Sequence, residues 1–427
     1  MPEATQGGAP AWMPGSVGSA YRKGAATDED LLSGGAWRGM VAAIERAAAV
    51  LTTDRVPREP VDQAAGYRHL LVLLGLAVDE ALHGGAASDP YSPHIAPANV
   101  DSYLKWGMDC PDAAYSGCTL RDDAVYRVRG RRGTVRYLGF QVMGGMAAMA
   151  NLVLDPAQCQ ADGSFELVLS REPPADPADP IDGQVWVPLG PGASSLVVRQ
   201  FFYDWAHEEP ATMAIECVLR PERGPAAPAP LLSAAGIARQ LVALGDFMET
   251  SMSFWLDVED GGRAQGVNVF RPPVNKTEMG AAAENVSVWG SWELAPGEAL
   301  LLEVTPPPAL YWSVSLGNHW WETIDYANHQ SSLNGHQAVI DSDGVFRAVL
   351  AHEDPGVANW LDTAGHRQGP AIFRWVSAES APVPVTRQLA VADVLDALPE
   401  GTALVGPEER RSILAERRAG VRRRFAR

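Results

Sequence analysis

Apolar and polar positions alternate with two different periods along this chain, helical at its ends and strand-like in between. Thr27 followed by Asp28, Glu29 and Asp30 has the form of an N-cap with an acidic first turn. It predicts a helix from about Asp28 to Leu51, ending before Pro57. From Pro60, apolar residues recur at Tyr67, Leu70, Leu71, Leu74, Val78, Ala81 and Leu82, a three-four spacing that Gly84-Gly85 stops. These two helices predict a hairpin over residues 27–88. Residues 1–26 lack both a basic n-region and an apolar h-region, and read as a disordered leader rather than a signal peptide.

From Asp89 to Thr119 the chain reads as loop, because Pro90, Pro93, Pro97 and Pro111 forbid long regular elements. Its Tyr91, His94, Tyr103, Trp106, Asp109 and Tyr115 suit either a cleft lining or a packed structural wrap. Period-two runs then follow. AVYRVRG and GTVRYLGFQVM flank Gly130-Arg131-Arg132-Gly133, a hairpin signal, and further strands are expected at 152–155, 164–170, 183–189, 195–205 and 213–220. Residues 89–220 thus predict a first β-sandwich. PERGPAAPAP at 221–230 reads as a linker, and a helix is expected from about Leu231 to Leu256, the pair forming a bridging unit over 221–264. Its Asp246, Glu249, Asp257 and Glu259 read as a solvated acidic face. Strands return at 286–292, 300–304, 311–317, 338–341, 345–351 and 371–376, predicting a second sandwich over 265–380. Residues 381–427 hold a short helix at 391–398 and a basic one from about Pro407 to Phe425.

The two strand-rich regions look like copies. YLGFQVM, LVLD, DGSF-ELVL, VWVPL and VRQFFYDW are followed in the same order by YWSVSLG, AVID, DGVF-RAVL, NWLDT and IFRWV. Asp162-Gly163 matches Asp343-Gly344, and Trp186 matches Trp360. The fold expected is therefore mainly β with helical additions: two tandem antiparallel, jelly-roll-like β-sandwiches, an N-terminal helical hairpin, a bridging helix and a C-terminal basic helix. The copies differ at one place, where the second carries NHWWETIDYANHQSSLNGHQ. A polar, aromatic-rich insertion of this kind is where function is usually grafted.

Residues 311–375 hold five of the nine histidines (His319, His329, His336, His352 and His366) and five of the thirteen tryptophans. If the segment after Gly317 turns helically, Glu322, Asp325 and His329 share one face, and a carboxylate beside an imidazole makes a general acid–base pair. Asp362 and His366, four apart, form a second pair. The catalytic candidates are His319, Glu322, Asp325, Tyr326, His329, Asp362 and His366. Trp320, Trp321, Trp360, Asn318, Asn334, Arg199 and Tyr203 are the candidates to hold a substrate. His319, Glu322 and His329 also offer N/O donors for a divalent metal, although no HExxH or other tight ligand spacing occurs. The alternative is that these histidines and tryptophans hydrogen-bond backbone at a corner between sheets.

GNHWWETIDY, HQSSLNGHQAVIDSDG, EDPGVANWLDT and the closing FRW resemble the family catalogued as domain of unknown function 1214. YRVRGRRGTVRYLGFQV and VVRQFFYDW are similar to its longer actinobacterial members, and distantly to the family numbered 1254. The resemblance spans residues 90–380 and is specific in its second half. It implies a mostly β, sandwich-like fold and supplies no catalytic mechanism.

A net charge of -18 argues against nucleic acid or an anionic membrane as a main partner. No apolar run reaches the length of a membrane span. Cys110, Cys118, Cys159 and Cys217 show no CxxC spacing, so free thiols are expected and the default compartment is cytoplasmic. No GxSxG or strand-borne GxGxxG occurs, so neither a serine hydrolase nor an organic nucleotide cofactor is indicated. The expected function is an intracellular enzyme of the hydrolase or lyase type doing acid–base chemistry on a small apolar or glycan-like molecule. The alternative is a non-catalytic ligand-binding or scaffold protein, with a structural cation as an option. The basic C-terminal helix offers a surface for packing on the protein's own acidic surface or for a homo-oligomer.

Overall fold

The computed structural model describes residues 26–83, 93–97, 102–145, 147–174, 184–219, 232–277 and 280–425. The leader before Ala26 and the 221–230 linker lie outside these residues. Thr27 and Asp30 form the capping box of α1 (Asp28–Leu32). The single helix expected to Leu51 is broken: Gly34 takes φ +72°, and α2 (Gly35–Ala49) starts anew. The hydroxyl of Ser33 accepts from Gly35 N at 3.2 Å at this corner. A longer helix, α3, covers Pro60–His83 and the bridging α4 covers Ala234–Arg263, the latter capped by the Ser233 hydroxyl.

Packing of α3 reverses the sequence reading. Its inward face is Asp62, Gly66, His69, Leu73 and Ala77, all buried, whereas Tyr67, Leu71, Val78 and Leu82 are exposed. The helix is apolar around most of its circumference, so periodicity alone could not choose a face. Met40, Ala47, Leu51, Leu73, Leu244 and Met248 form the core of the helical layer, and Trp320 of the insertion is part of it.

The first sandwich is built from β1 (Ala96–Pro97), β2 (Ala113–Thr119), β3 (Val125–Arg131), β4 (Tyr137–Gly144), β5 (Ala147–Val153), β6 (Ser164–Ser170), β7 (Gln184–Pro188), β8 (Ser195–Phe201) and β9 (Thr212–Leu219). The second contains β10 (Val269–Phe270), β11 (Asn285–Glu293), β12 (Glu298–Val304), β13 (Ala309–Leu316), β14 (Ser332–Asn334), β15 (Phe346–Ala351), β16 (Trp360–Asp362), β17 (Gln368–Ala378) and β18 (Val385–Ala390). Sheet order β1-β2-β8-β4-β5 is repeated as β10-β11-β17-β13-β14, and β7-β6-β3-β9 as β16-β15-β12-β18. Adding nine to each strand number converts one sandwich into the other. Pairing is antiparallel except at one edge of each copy, where β6–β7 and β15–β16 run parallel.

The repeat extends to detail. Gly163 and Gly344 take φ +79° and +82° at the same turn, a conformation open to glycine without strain. Trp186 Nε1 donates to Ser170 O at 3.3 Å, and Trp360 Nε1 to the equivalent Ala351 O at 3.0 Å. The strand expected at 338–341 is reduced to an isolated bridge at Ile340; β14 lies earlier, at Ser332–Asn334. Part of the expected 89–119 loop is strand as well, since β2 starts at Ala113.

The expected hairpin around Gly130–Gly133 is not formed. β3 pairs with β6 and β9, whereas β4 pairs with β5 and β8, so the turn carries the chain from one sheet to the other. Buried Arg132 holds this arch by donating to Leu154 O and Val135 O, both at 3.0 Å. Residues 145–146 alone join β4 to β5, but 317–331 join β13 to β14, and this is the insertion.

After α5 (Val394–Ala397), α6 (Pro407–Arg424) lies across the seam of the two sandwiches. Arg410, Arg417 and Arg424 recur every seven residues and so share a helix face. Arg410 donates to Gln330 Oε1 at 2.9 Å and pairs with Asp354 at 2.9 Å. Arg417 donates to Tyr326 O at 3.1 Å and Ser332 Oγ at 2.9 Å, and its guanidinium lies 4.7 Å over the Trp205 ring. Arg424 stacks 4.5 Å from the same ring. The inward face of the basic helix is thus occupied within its own chain. Replacing Arg417 with Met is expected to destabilise the chain by about 2–4 kcal/mol, since it strips donors from buried acceptors in the insertion. Urea unfolding measures this; a midpoint equal to wild type would contradict the stapling role.

Candidate functional site

The insertion folds as a compact loop clamped between α3, residues 105–112 and the second sandwich. Asn318 starts it: its Oδ1 accepts from Trp320 N at 2.9 Å and Glu322 N at 3.2 Å. This turn sends Trp320 and Glu322 toward α3. Glu322 Oε1 meets His69 Nδ1 at 2.8 Å, Asn318 Nδ2 reaches Oε2 at 3.1 Å, and Arg68 stands 3.6 Å away. Burial acts to raise the Glu322 carboxyl, but His69 and Arg68 outweigh it and hold the group below the usual carboxylate range. His69 also stacks on Trp320, centroids 5.6 Å apart.

The expected cluster is not assembled. His319 turns from Glu322 and meets Gln368 through Nδ1 at 3.1 Å. His366 pairs with Asp62 of α3 at 2.9 Å rather than with Asp362. Asp362 pairs instead with His329 Nδ1 at 2.7 Å. Asp325 is exposed and caps its own turn, accepting from Ala327 N and Asn328 N at 3.0 and 3.1 Å. Tyr326 is buried in the core of the first sandwich, with Lys105 Nζ 4.3 Å above its ring. The one-face reading of Glu322, Asp325 and His329 fails because this stretch is a series of turns, not a helix. His319, Glu322 and His329 go to three different partners, and no three His, Cys, Asp or Glu among the described residues could hold a metal.

The substrate candidates scatter likewise. Trp321 stacks on Trp255 at 5.0 Å, and Trp360 joins a small core beside Val357 and Val394. Asn334 donates to Asp112 Oδ1 at 2.7 Å, while Arg199 bonds Gln141 and Gly280 O. The Tyr203 ring lies 5.5 Å from that of Tyr311 in the seam. A small surface pocket with room for little more than a water molecule is lined by Val339, Asp341, Arg347, Val357, Asn359 and Thr402, none of them a predicted site residue.

Asp62, Arg68, His69 and Lys105 are absent from the sequence-based candidates, and Asp109 enters them only as a residue of a cleft lining or structural wrap. Lys105 Nζ donates to Thr323 O at 2.8 Å, and Asp109 accepts from Thr323 Oγ1 at 2.8 Å. Burial pushes Lys105 down and Asp109 up. A signal existed on α3: Asp62, Gly66 and His69 are spaced four and three apart, in line with Leu73 and Ala77. The glycine is needed there, since a Cβ would come within 2.6 Å of the Trp320 ring.

Two groups give opposite pH signatures. Burial pushes the His319 imidazole down to about 4 from an ordinary 6.5. The unfolded chain therefore takes up this proton first, and the associated stability, on the order of 3 kcal/mol, is present above pH 6.5 and lost as pH falls toward 4. His319→Gln should flatten that part of the stability–pH curve in chemical unfolding. His329 is held above 6.5, chiefly by its hydrogen bond to Asp362. Proton NMR should find it titrating high, and Asp362→Asn should return it toward 6.5.

Residues 299–379 match the family model described as protein of unknown function (DUF1214). No curated protein matches the chain. An uncharacterized protein of Burkholderia cenocepacia, solved as a crystal structure, is 31% identical, with 86% of this chain and 99% of that one covered at a TM-score of 0.74. A Vibrio parahaemolyticus protein is 11% identical over 75% of this chain and 100% of its own, at a TM-score of 0.43. The tandem-sandwich fold is therefore shared with a close structural relative, and the sequence of the insertion-bearing copy carries the family pattern. The chain belongs to the DUF1214 family.

Proposed function

We propose that the protein is a non-catalytic binding or scaffold protein, in which the histidine-rich insertion latches the helical layer to the second sandwich. One observation carries this reading. Buried polar groups of the insertion meet distant elements: Glu322 pairs with His69, His319 Nδ1 meets Gln368, and the Thr323 hydroxyl donates to Asp109. A catalytic acid or base must reach a substrate proton, and Glu322 and His69 are each 1% exposed. Such pairs instead fix which surfaces meet, because breaking one leaves a buried polar group uncompensated.

A second reading rests on His329. Its imidazole is 40% exposed, and Asp362 orients it through Nδ1 at 2.7 Å. That is the arrangement of a general base with its positioning carboxylate. It supports acid–base chemistry at the surface of the insertion, on a substrate that the dyad alone does not identify.

The two readings separate by experiment. Glu322→Leu alone should destabilise the chain by about 3–5 kcal/mol, whereas Glu322→Leu with His69→Met should recover most of that loss, as apolar replacements of buried pairs do. Urea unfolding of wild type, Glu322→Leu, His69→Met and the double variant is the measurement. No loss in the single variant would remove the latch role. Substrate turnover that disappears in His329→Ala with the fold intact would favour the dyad instead.

A further inference from the structure

We infer that the outward face of α3 is a self-association surface, against which a second copy of this chain packs its own α3 in the antiparallel sense. Asp62 and His69 lie on the opposite, buried face, so the surface stands whichever reading of the insertion holds. Tyr67, Leu71, Val78 and Leu82 are 57%, 69%, 40% and 61% exposed. One exposed apolar side chain is ordinary, but these four fall within about 60° of arc on the helix. Leu104 packs over Gly75, 3.4 Å from where a Cβ would stand, and fills the gap between Leu71 and Val78. An apolar stripe about 22 Å long therefore faces outward, and a contiguous patch of this kind marks an interaction site.

The pattern of the stripe selects its partner. The steps from Tyr67 to Leu71, Val78 and Leu82 are four, seven and four residues, the same read from either end. These are the steps of paired helices. A two-fold axis between Leu74 and Gly75 sets Tyr67 against the partner's Leu82 and Leu71 against the partner's Val78. Such a surface is complementary to itself, as a two-fold contact requires.

The charges agree with this arrangement. Arg68 and Asp79 are eleven residues apart, close to three turns, and so share one flank of the stripe. A two-fold that reverses the helix brings like flanks together, so Arg68 faces the partner's Asp79 and Asp79 the partner's Arg68. The midpoint of this pair lies one residue, about 1.5 Å, from that of the apolar set. In a parallel pair the same flank meets that of Leu70 and Leu74 and finds no charge. The Arg68 side chain is 48% exposed, steadied by donation from Nη2 to Tyr103 O at 2.9 Å. A lipid surface fits less well. Helices that lie on membranes carry Lys and Arg along the polar face, whereas this flank bears an aspartate and the chain a net charge of -18. One helix face is a small interface, of the kind that associates reversibly.

Sedimentation velocity of the full chain across the micromolar range tests the inference. Wild type should pass from monomer to dimer with a micromolar Kd. Leu71→Glu should raise that Kd roughly tenfold or more, because it puts a charge in the centre of the contact. Asp79→Arg, which sets like charges against each other, should raise it roughly fivefold at low salt. Position 71 faces solvent, so Leu71→Glu should keep the wild-type circular dichroism; if it does not, Leu82→Glu takes its place. If Asp79→Arg fails to fold, salt reports the same pair: going from low to physiological salt should weaken the wild-type dimer, and no weakening counts against the arrangement. A wild-type chain that stays monomeric, or a dimer left unchanged by Leu71→Glu or by Asp79→Arg, would overturn the inference. So would flotation of wild type with phosphatidylcholine vesicles in place of dimerisation, lost in Leu71→Glu, since the stripe then serves lipid.

Discussion

The seam between the sandwiches depends on one buried carboxylate. Asp112 Oδ1 accepts from Trp205 Nε1 and Asn334 Nδ2, both at 2.7 Å, while Oδ2 accepts from Tyr311 Oη at 2.5 Å. Trp205 belongs to the first copy, Tyr311 and Asn334 to the second. A carboxylate taken out of water is unfavourable unless its lone pairs are filled, and these three donors fill them only if the two copies meet in this register. Phe201 and Tyr137 pack with Tyr311 and Val376 beside it, so the polar hub has an apolar surround.

Two further devices depend on that register. The arginine face of α6 reaches Trp205 on one side and Tyr326, Ser332 and Gln330 on the other, which is possible only with the seam closed. Buried Arg374 donates to Ser315 Oγ at 2.9 Å and to Met108 O, tying β17 and β13 to the 105–112 segment. That segment in turn receives the insertion through Lys105 and Asp109. The insertion is therefore less an appendage than the third side of a frame whose other sides are α3 and α4.

This explains why so many histidines and tryptophans crowd a small part of the chain. Trp320 fills the helical core, Trp321 the aromatic cluster with Trp255 and Trp289, and Tyr326 the first sandwich core. One loop supplies a plug to three separate packing regions. Large side chains with a single polar atom suit that role, because each buries much area and needs one partner.

The sequence by itself determined most of the longer strands, the tandem repeat and the insertion. Period-two alternation is local, and an ordered set of anchors such as Asp162-Gly163 and Asp343-Gly344 reports a shared turn geometry wherever the chain goes. It also placed α6 and the start of α4 closely, since caps and apolar spacing are properties of a few neighbouring residues, whereas α4 runs on to Arg263, past the expected end at Leu256. What it could not determine was partnership across distance. His69 and Glu322 are separated by 253 residues and His366 and Asp62 by 304, so nothing in local spacing links them. Sequence proximity suggested Asp362 with His366, but the turn at Ala364 and Gly365 sends the two side chains to different neighbours. Only the tertiary structure decided which face of α3 turns inward, because an almost wholly apolar helix has no preferred side until a buried aspartate and histidine find their partners.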